Sequence, residues 1–197
     1  MTNVAISGAE AADALLGALG EQLAGRGAAY EIIVVGGSAL LALGLVDRPT
    51  KDVDLVGLTE GGTLRPANPL PADLIEARDR VARDFGLPVS WLNDGPADLI
   101  RFGLPEGFLD RVERRDYGRF LTVLFASRFD QVHFKLYATV DQGPGRHEAD
   151  LRALEPTKQE LLAAARWSRT HDPSEGYRSQ LIQVLRILGV EDASLDA

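Results

Sequence analysis

Glu31-Ile32-Ile33-Val34-Val35-Gly36-Gly37-Ser38-Ala39-Leu40, followed by Arg48-Pro49-Thr50-Lys51-Asp52-Val53-Asp54-Leu55-Val56, is the stretch on which the fold turns. Glu31 to Val35 is a short β-branched run and reads as a buried strand. Gly36-Gly37 ends that strand, and Ser38 to about Leu43 reads as a short helix. Asp47 to Thr50 reads as a loop, because Pro49 withholds a backbone donor and disfavours a helical residue before it. Asp52 to Val56 then alternates polar and apolar residues as a strand does.

Working outward, Ser7 with Glu10 has the form of a capping box and opens a helix predicted to run to about Gly25. Ala12, Leu15, Leu16, Leu19 and Leu23 repeat along it at helical spacing. Gly61 to Pro71 is rich in Gly and Pro and reads as an exposed loop. Ala72 to Phe85 has helical periodicity, and Pro88 to Leu92 and Phe120 to Phe125 read as strands. Between them, Asn93 to Arg119 shows no clear period, apart from a helix expected over Leu109 to Arg114. Phe129 to Val140, His147 to Leu154, Lys158 to His171 and Glu175 to Leu188 read as helices. The first two-thirds therefore mix strands and helices and the last third is helical. The expected class is α/β (α+β), with a core over 1–126 and a helical C-terminal region over 127–197 packed on it as a single compact unit.

At 197 residues the chain is near one domain on a prior of about 150 residues. Its 45% hydrophobic and 25% charged residues exclude wholesale disorder. The longest uncharged run, Ile32 to Val46, is broken by Gly36-Gly37 and Ser38 and falls short of the about 20 apolar residues that span a bilayer. The first positive charge is Arg26, so the amino terminus lacks the basic region of a secretory signal, and a cytoplasmic protein without membrane contact is expected. Zero cysteines exclude disulfides, thiol catalysis and Cys-ligated zinc. A net charge of −8 argues against a broad basic surface for indiscriminate nucleic-acid binding, though not against a local basic site. Only three of the 21 basic residues are lysines, and two of them, Lys51 and Lys135, lie beside the motifs that carry chemistry.

A strand that ends in Gly-Gly-Ser and turns into a helix lets the backbone approach a ligand closely and aims N–H groups at it, an arrangement suited to an anion. Ser38 adds a hydroxyl or caps the helix. An ordinary tight turn with a cap carries the same residues. The spacing matches neither the dinucleotide fingerprint nor the P-loop. Asp52 and Asp54, at i and i+2 of a strand, present two carboxylates on one side. Like charges that close call for a cation between them, and magnesium, a hard ion that keeps positions open for phosphate, is the natural choice. A solvated strand edge is the bland account of the same two acids.

The segment Gly36-Gly37-Ser38-Ala39-Leu40 with Arg48-x-Thr50-Lys51-Asp52-x-Asp54-Leu55 resembles the signature of nucleotidyltransferases of the DNA polymerase β superfamily. It is closer to bacterial stand-alone members, among them the toxin enzymes of abortive-infection and toxin–antitoxin systems and their uncharacterised relatives. Phe134-Lys135-Leu136, Asp141 and Arg146-His147-Glu148-Ala149-Asp150-Leu151 are similar to the second half of that toxin group. The resemblance implies a mixed sheet flanked by helices and a Mg²⁺-dependent, two-metal transfer of a nucleoside monophosphate from an NTP to a hydroxyl, with Mn²⁺ as an alternative ion. By it, Asp52 and Asp54 hold the metal. Gly36, Gly37 and Ser38 bind the triphosphate, with Arg48, Thr50 and Lys51 as helpers. Lys135 offsets triphosphate charge, and Asp150 lies near the metals or the acceptor. RNA such as tRNA, a protein or a small molecule is the implied acceptor, with an antitoxin protein as a partner. Thirteen residues separate Ser38 from Asp52, more than in the minimal aminoglycoside-type enzymes. Many superfamily members also place a third metal carboxylate on a later strand, where the only acid here is Asp94, itself a natural turn residue.

Other features are bland. His133, His147 and His171 share no metal-ligand spacing, and no serine sits in a Gly-x-Ser-x-Gly elbow. Arg111 to Arg119 holds four arginines against Glu113 and Asp116, which reads as a solvated face or as a phosphate-contacting patch. Arg166, Trp167 and Arg169, with Tyr177 and Arg178, read as packing or as a base-stacking surface. Two rival functions stand beside transfer to RNA or protein: an aminoglycoside-type enzyme, and a non-catalytic protein that binds a nucleotide or a partner.

Overall fold

The structure, a computed structural model, describes residues 5–191. The described residues divide into two compact units, one of 5–104 and 109–126, the other of 105–108 and 127–191.

The first unit opens with helix α1 (Ala9–Ala24), strand β1 (Tyr30–Val35) and helix α2 (Gly36–Ala42). Strands β2 (Val53–Glu60) and β3 (Thr63–Pro66), helix α3 (Ala72–Phe85) and the two-residue strand β4 (Leu92–Asn93) follow. After the single turn α4 (Phe108–Arg111), of which only 109–111 belong to this unit, come strands β5 (Glu113–Asp116) and β6 (Leu121–Phe125). They form one mixed sheet in the order β3-β2-β1-β6-β5, with β4 paired to the start of β2, ahead of the stretch that β3 covers. β1 runs antiparallel to β2 and parallel to β6. One face of the sheet carries Ile32, Val34, Val53, Leu55, Val123 and Phe125 into a single apolar cluster with Leu15, Leu16, Leu19 and Leu23 of α1 and Leu74, Ala77 and Val81 of α3. Burial of such side chains, each contributing about 1.5–3 kcal/mol, is what holds this layer together. Trp91 is fully buried there, and its indole N–H donates to the Arg78 carbonyl at 3.0 Å.

Several local expectations are corrected. The capping box at Ser7 does not form: Gly8 is the N-cap of α1, at φ 91°, with no side-chain bond. Residues 61–71 are not all loop, because Thr63–Pro66 pairs with β2 as a hairpin. Pro88 to Leu92 is a 3₁₀ turn (Val89–Trp91) leading into β4, not a full strand. Leu109 to Arg114 splits between α4 and the edge strand β5.

The second unit is a bundle of four helices, α5 (Arg128–Gln142), α6 (Arg146–Ala153), α7 (Lys158–His171) and α8 (Glu175–Ile187). Ser127, Thr157 and Ser174 cap three of them through their side chains, and Thr157 with Glu160 makes a full capping box. Arg128 binds the Leu154 and Glu155 carbonyls and Glu160, so one guanidinium ties α5, α6 and α7. That hydrogen bond, and the Thr157 amide after it, hold the Glu160 carboxyl below the usual carboxylate range. The tie therefore stabilises the bundle above an ordinary carboxylate pKa and is lost as pH falls through the lowered value. Trp167 lies among His133, Phe134, Tyr137 and His171, with ring centroids 4.3–6.1 Å away. No helix among the described residues is long and apolar enough to cross a membrane.

Gly17 and Gly20, one turn apart on α1, separate helix propensity from packing. A Cβ at Gly17 meets nothing within 4 Å, and Gly17→Ala is expected to raise stability by up to about 1 kcal/mol. A Cβ at Gly20 lies 2.3 Å from the Tyr117 carbonyl oxygen, and Gly20→Ala is expected to lower stability by about 1–3 kcal/mol. Urea unfolding midpoints of the two variants check the opposite signs.

Candidate functional site

The register of β1 and β2 builds the site. Ile33 pairs with Gly57, but Val34 pairs with Leu55 and Val35 with Asp54, so Val56 is an extra residue in β2. Paired residues share a face. Val34, Leu55 and Val53 enter the apolar cluster, whereas Val35 and Asp54 point to the other side of the sheet. β4 repeats the arrangement, with Leu92 beside buried Val53 and Asn93 beside Asp54. Asp52 immediately precedes β2 and is half-buried like Asp54, alternating with buried Val53 and Leu55. Continuing that alternation one residue before the strand would put the Asp52 carboxylate on the side of Asp54.

β1 delivers its glycines to that place. Gly36 has φ 76°, a left-handed conformation that favours glycine, and a Cβ there would lie 2.7 Å from Asp54 Oδ2. A Cβ on Gly37 would lie 2.9 Å from Thr50 Oγ1 and 3.4 Å from Arg48 Nη2. Thr50 is held by a two-way backbone bridge to Ile6, and its hydroxyl donates to the Asp52 carbonyl at 3.4 Å. Helix α2 begins at Gly36, not at Ser38, so the glycines form its first turn. Ser38 follows them, 2% exposed, and its hydroxyl has no hydrogen-bond partner among the described residues. A buried hydroxyl without a partner costs roughly 1–3 kcal/mol, and a ligand that accepts from it removes that cost.

The first unit therefore brings Gly36 to Asp54 and Gly37 to Thr50 and Arg48, with Ser38 and Asp52 next to these in the chain and Lys51 exposed. Asn93 was not singled out in the sequence, yet its amide Nδ2 donates to Asp54 Oδ1 at 3.0 Å. Asp94 is the turn residue its place after a strand suggests: it starts a 3₁₀ segment, and its carbonyl accepts from Ala97 at 3.0 Å. No group of three or more His, Cys, Asp or Glu suited to a metal ion occurs among the described residues. Asp52 and Asp54 are the carboxylates at this position that could hold a cation.

Lys135 and Asp150 are brought together in the second unit. Their side chains are 5% and 1% exposed, and Nζ lies 2.7 Å from Asp150 Oδ2. Two of the arginines in 111–119 are engaged with acids: Arg114 binds Glu31 and Asp116, and Arg115 binds Glu113.

The family model described as "Nucleotidyltransferase of unknown function (DUF6036)" matches residues 15–144, about two thirds of the chain. The matched span includes the whole sheet, both halves of the glycine–aspartate motif and Lys135; Asp150 lies beyond it. No curated protein and no solved structure matches the chain.

Removing one member of a buried ion pair is costly because the other charge stays in the interior. Lys135→Met or Asp150→Leu alone is expected to destabilise the protein by about 3–5 kcal/mol, and the double replacement by much less than either. A double-mutant cycle in urea measures the difference.

Proposed function

Because the chain belongs to the family of nucleotidyltransferases of unknown function (DUF6036), we propose that it moves a nucleoside monophosphate from an NTP to a hydroxyl, at the place where Gly36, Gly37 and Ser38 meet Asp52 and Asp54. In that reaction the acceptor oxygen bonds to the α-phosphorus and the bond to the bridging oxygen breaks. The electron pair leaves with pyrophosphate, and the acceptor proton passes to solvent. The observation that carries the reading is Ser38, a buried hydroxyl with no partner among the described residues, two positions from the glycine that lies against Asp54.

Each residue has a task suited to its place. The Ser38 hydroxyl donates to a phosphate oxygen, replacing the hydrogen bond it lacks. Gly37, with no side chain, lets Thr50 and Arg48 lie close against its backbone, which keeps the Arg48 guanidinium beside the turn. The Arg48 guanidinium and the exposed Lys51 ammonium offset triphosphate charge. Asp52 and Asp54 supply hard oxygen donors, and two carboxylates completed by water and phosphate oxygens are a set that magnesium or manganese accepts. The ion, when bound, supplies Lewis-acid polarisation of the α-phosphate and a lower pKa for the attacking hydroxyl. We extend the proposal to an acceptor hydroxyl on RNA, such as tRNA, or on a protein, and to a toxin held by an antitoxin partner. Its support is the likeness of the glycine–aspartate motif to the stand-alone toxin enzymes.

Purified protein, Mg²⁺ and each α-labelled NTP, offered total tRNA, a protein extract and an aminoglycoside panel, test the reading. Label is expected to move to RNA or protein, and Asp54→Asn is expected to slow transfer by more than about 100-fold. Transfer to the aminoglycosides instead overturns the acceptor assignment, and neither transfer nor NTP binding overturns the function. Ser38→Ala is expected to raise the KM for NTP about tenfold while leaving the melting temperature unchanged or slightly higher.

A further inference from the structure

Asn93 sits beside the carboxylates without being one of them, and its geometry is fully determined. Strand β4 contributes only Leu92 and Asn93, and its parallel pairing places Leu92 next to Val53 and Asn93 next to Asp54. Leu92 is fully buried in the apolar cluster, so it anchors β4 and fixes the position of the residue after it. The Asn93 side chain bonds at both ends. Its Oδ1 accepts from the backbone N–H of Gly95 at 2.9 Å, and its Nδ2 donates to Asp54 Oδ1 at 3.0 Å. A backbone N–H only donates, so the oxygen must face Gly95 and the amide nitrogen must face Asp54. Gly95 N, Asn93 and Asp54 therefore form a directed chain that ends on one named oxygen of the carboxylate. The chain starts from a backbone amide at the head of the 3₁₀ segment Gly95–Phe102, a source independent of the glycine turn.

We infer that Asn93 is a positioning residue: its amide holds the plane of the Asp54 carboxylate in the orientation that receives the cation. The inference rests on the metal-binding reading of Asp52 and Asp54 given above. The physical reason is that a carboxylate on a short side chain turns freely about its terminal bond unless one oxygen is held. Partners of metal-bound carboxylates typically change metal affinity by about 10–100-fold when removed. A neutral amide suits this task. It donates to the carboxylate without adding charge, whereas a third acid at the same place would repel Asp54 until a cation arrived.

The experiment reads Mn²⁺ alone, by electron paramagnetic resonance titration of the whole protein, alongside melting temperatures in EDTA and in Mn²⁺. Asn93→Ala is expected to weaken Mn²⁺ binding about tenfold at unchanged stoichiometry. Asn93→Asp keeps the acceptor for Gly95 but sets a second carboxylate against Asp54. It is expected to melt lower than wild type in EDTA, and to regain more of its melting temperature in Mn²⁺ than wild type gains. A purely structural role would lower the melting temperatures and leave the Mn²⁺ affinity of Asn93→Ala at the wild-type value, which overturns the inference. If Asn93→Ala does not fold, Asn93→Asp decides alone: a wild-type melting temperature in EDTA with a wild-type response to Mn²⁺ also overturns it. Absence of Mn²⁺ binding by the wild-type protein removes the metal-site reading itself, a result distinct from either of these.

Discussion

One extra residue in β2 decides which face of the sheet carries the chemistry. Had the pairing continued from Ile33–Gly57 without Val56 as a bulge, Val35 would face Leu55. Asp54 would then turn toward the apolar side. The bulge restores Leu55 to the core and turns Asp54 outward, beside the end of β1. Everything else at the site is arranged around that reversal. The left-handed Gly36 passes close to the turned-out carboxylate, Thr50 and Arg48 border Gly37, and β4 brings an amide from the other side. The same residues that drive the core, Val53 and Leu55, are interleaved with the acids, so a slip of one position would lose burial and site together.

How far this was legible follows from the range of the interactions. α3 was read at its observed bounds because a 14-residue amphipathic pattern is local information. β1 and the acidic pair were legible for the same reason. The β3 hairpin was missed because Gly61-Gly62 and the prolines around it look like loop, while its pairing with β2 is a contact between strands. The Ser7 capping signal failed to a backbone preference, since Gly8 adopts a positive φ at the helix entrance. Asn93 carried no signal at all. Its importance comes from a two-residue parallel pairing across 39 positions of sequence, and no periodicity reports that. Asp94, next to it, drew attention only because it is acidic.

Two buried polar features show opposite solutions to the same physical problem. Lys135 and Asp150 answer the cost of burial with each other, ammonium to carboxylate within the bundle. Ser38 is buried in the first turn of α2 without such an answer from the described residues. The first arrangement contributes to rigidity. The second keeps hydrogen-bonding capacity in reserve next to two glycines whose backbone lies close against Asp54 and Thr50.

The far edge of the sheet has a consequence for how copies of the chain meet. β5 ends the strand order, and its four residues are Glu113, Arg114, Arg115 and Asp116. An unpartnered strand edge is a template for aggregation. If two copies of β5 aligned antiparallel and centred, Glu113 would oppose Asp116 and Arg114 would oppose Arg115, acid against acid and base against base. Parallel, in-register alignment also matches like with like, and such pairs are destabilising across strands. The palindromic charge order acid-base-base-acid thus makes the edge self-repelling in both registers, a guard against fibrous stacking written into four consecutive residues.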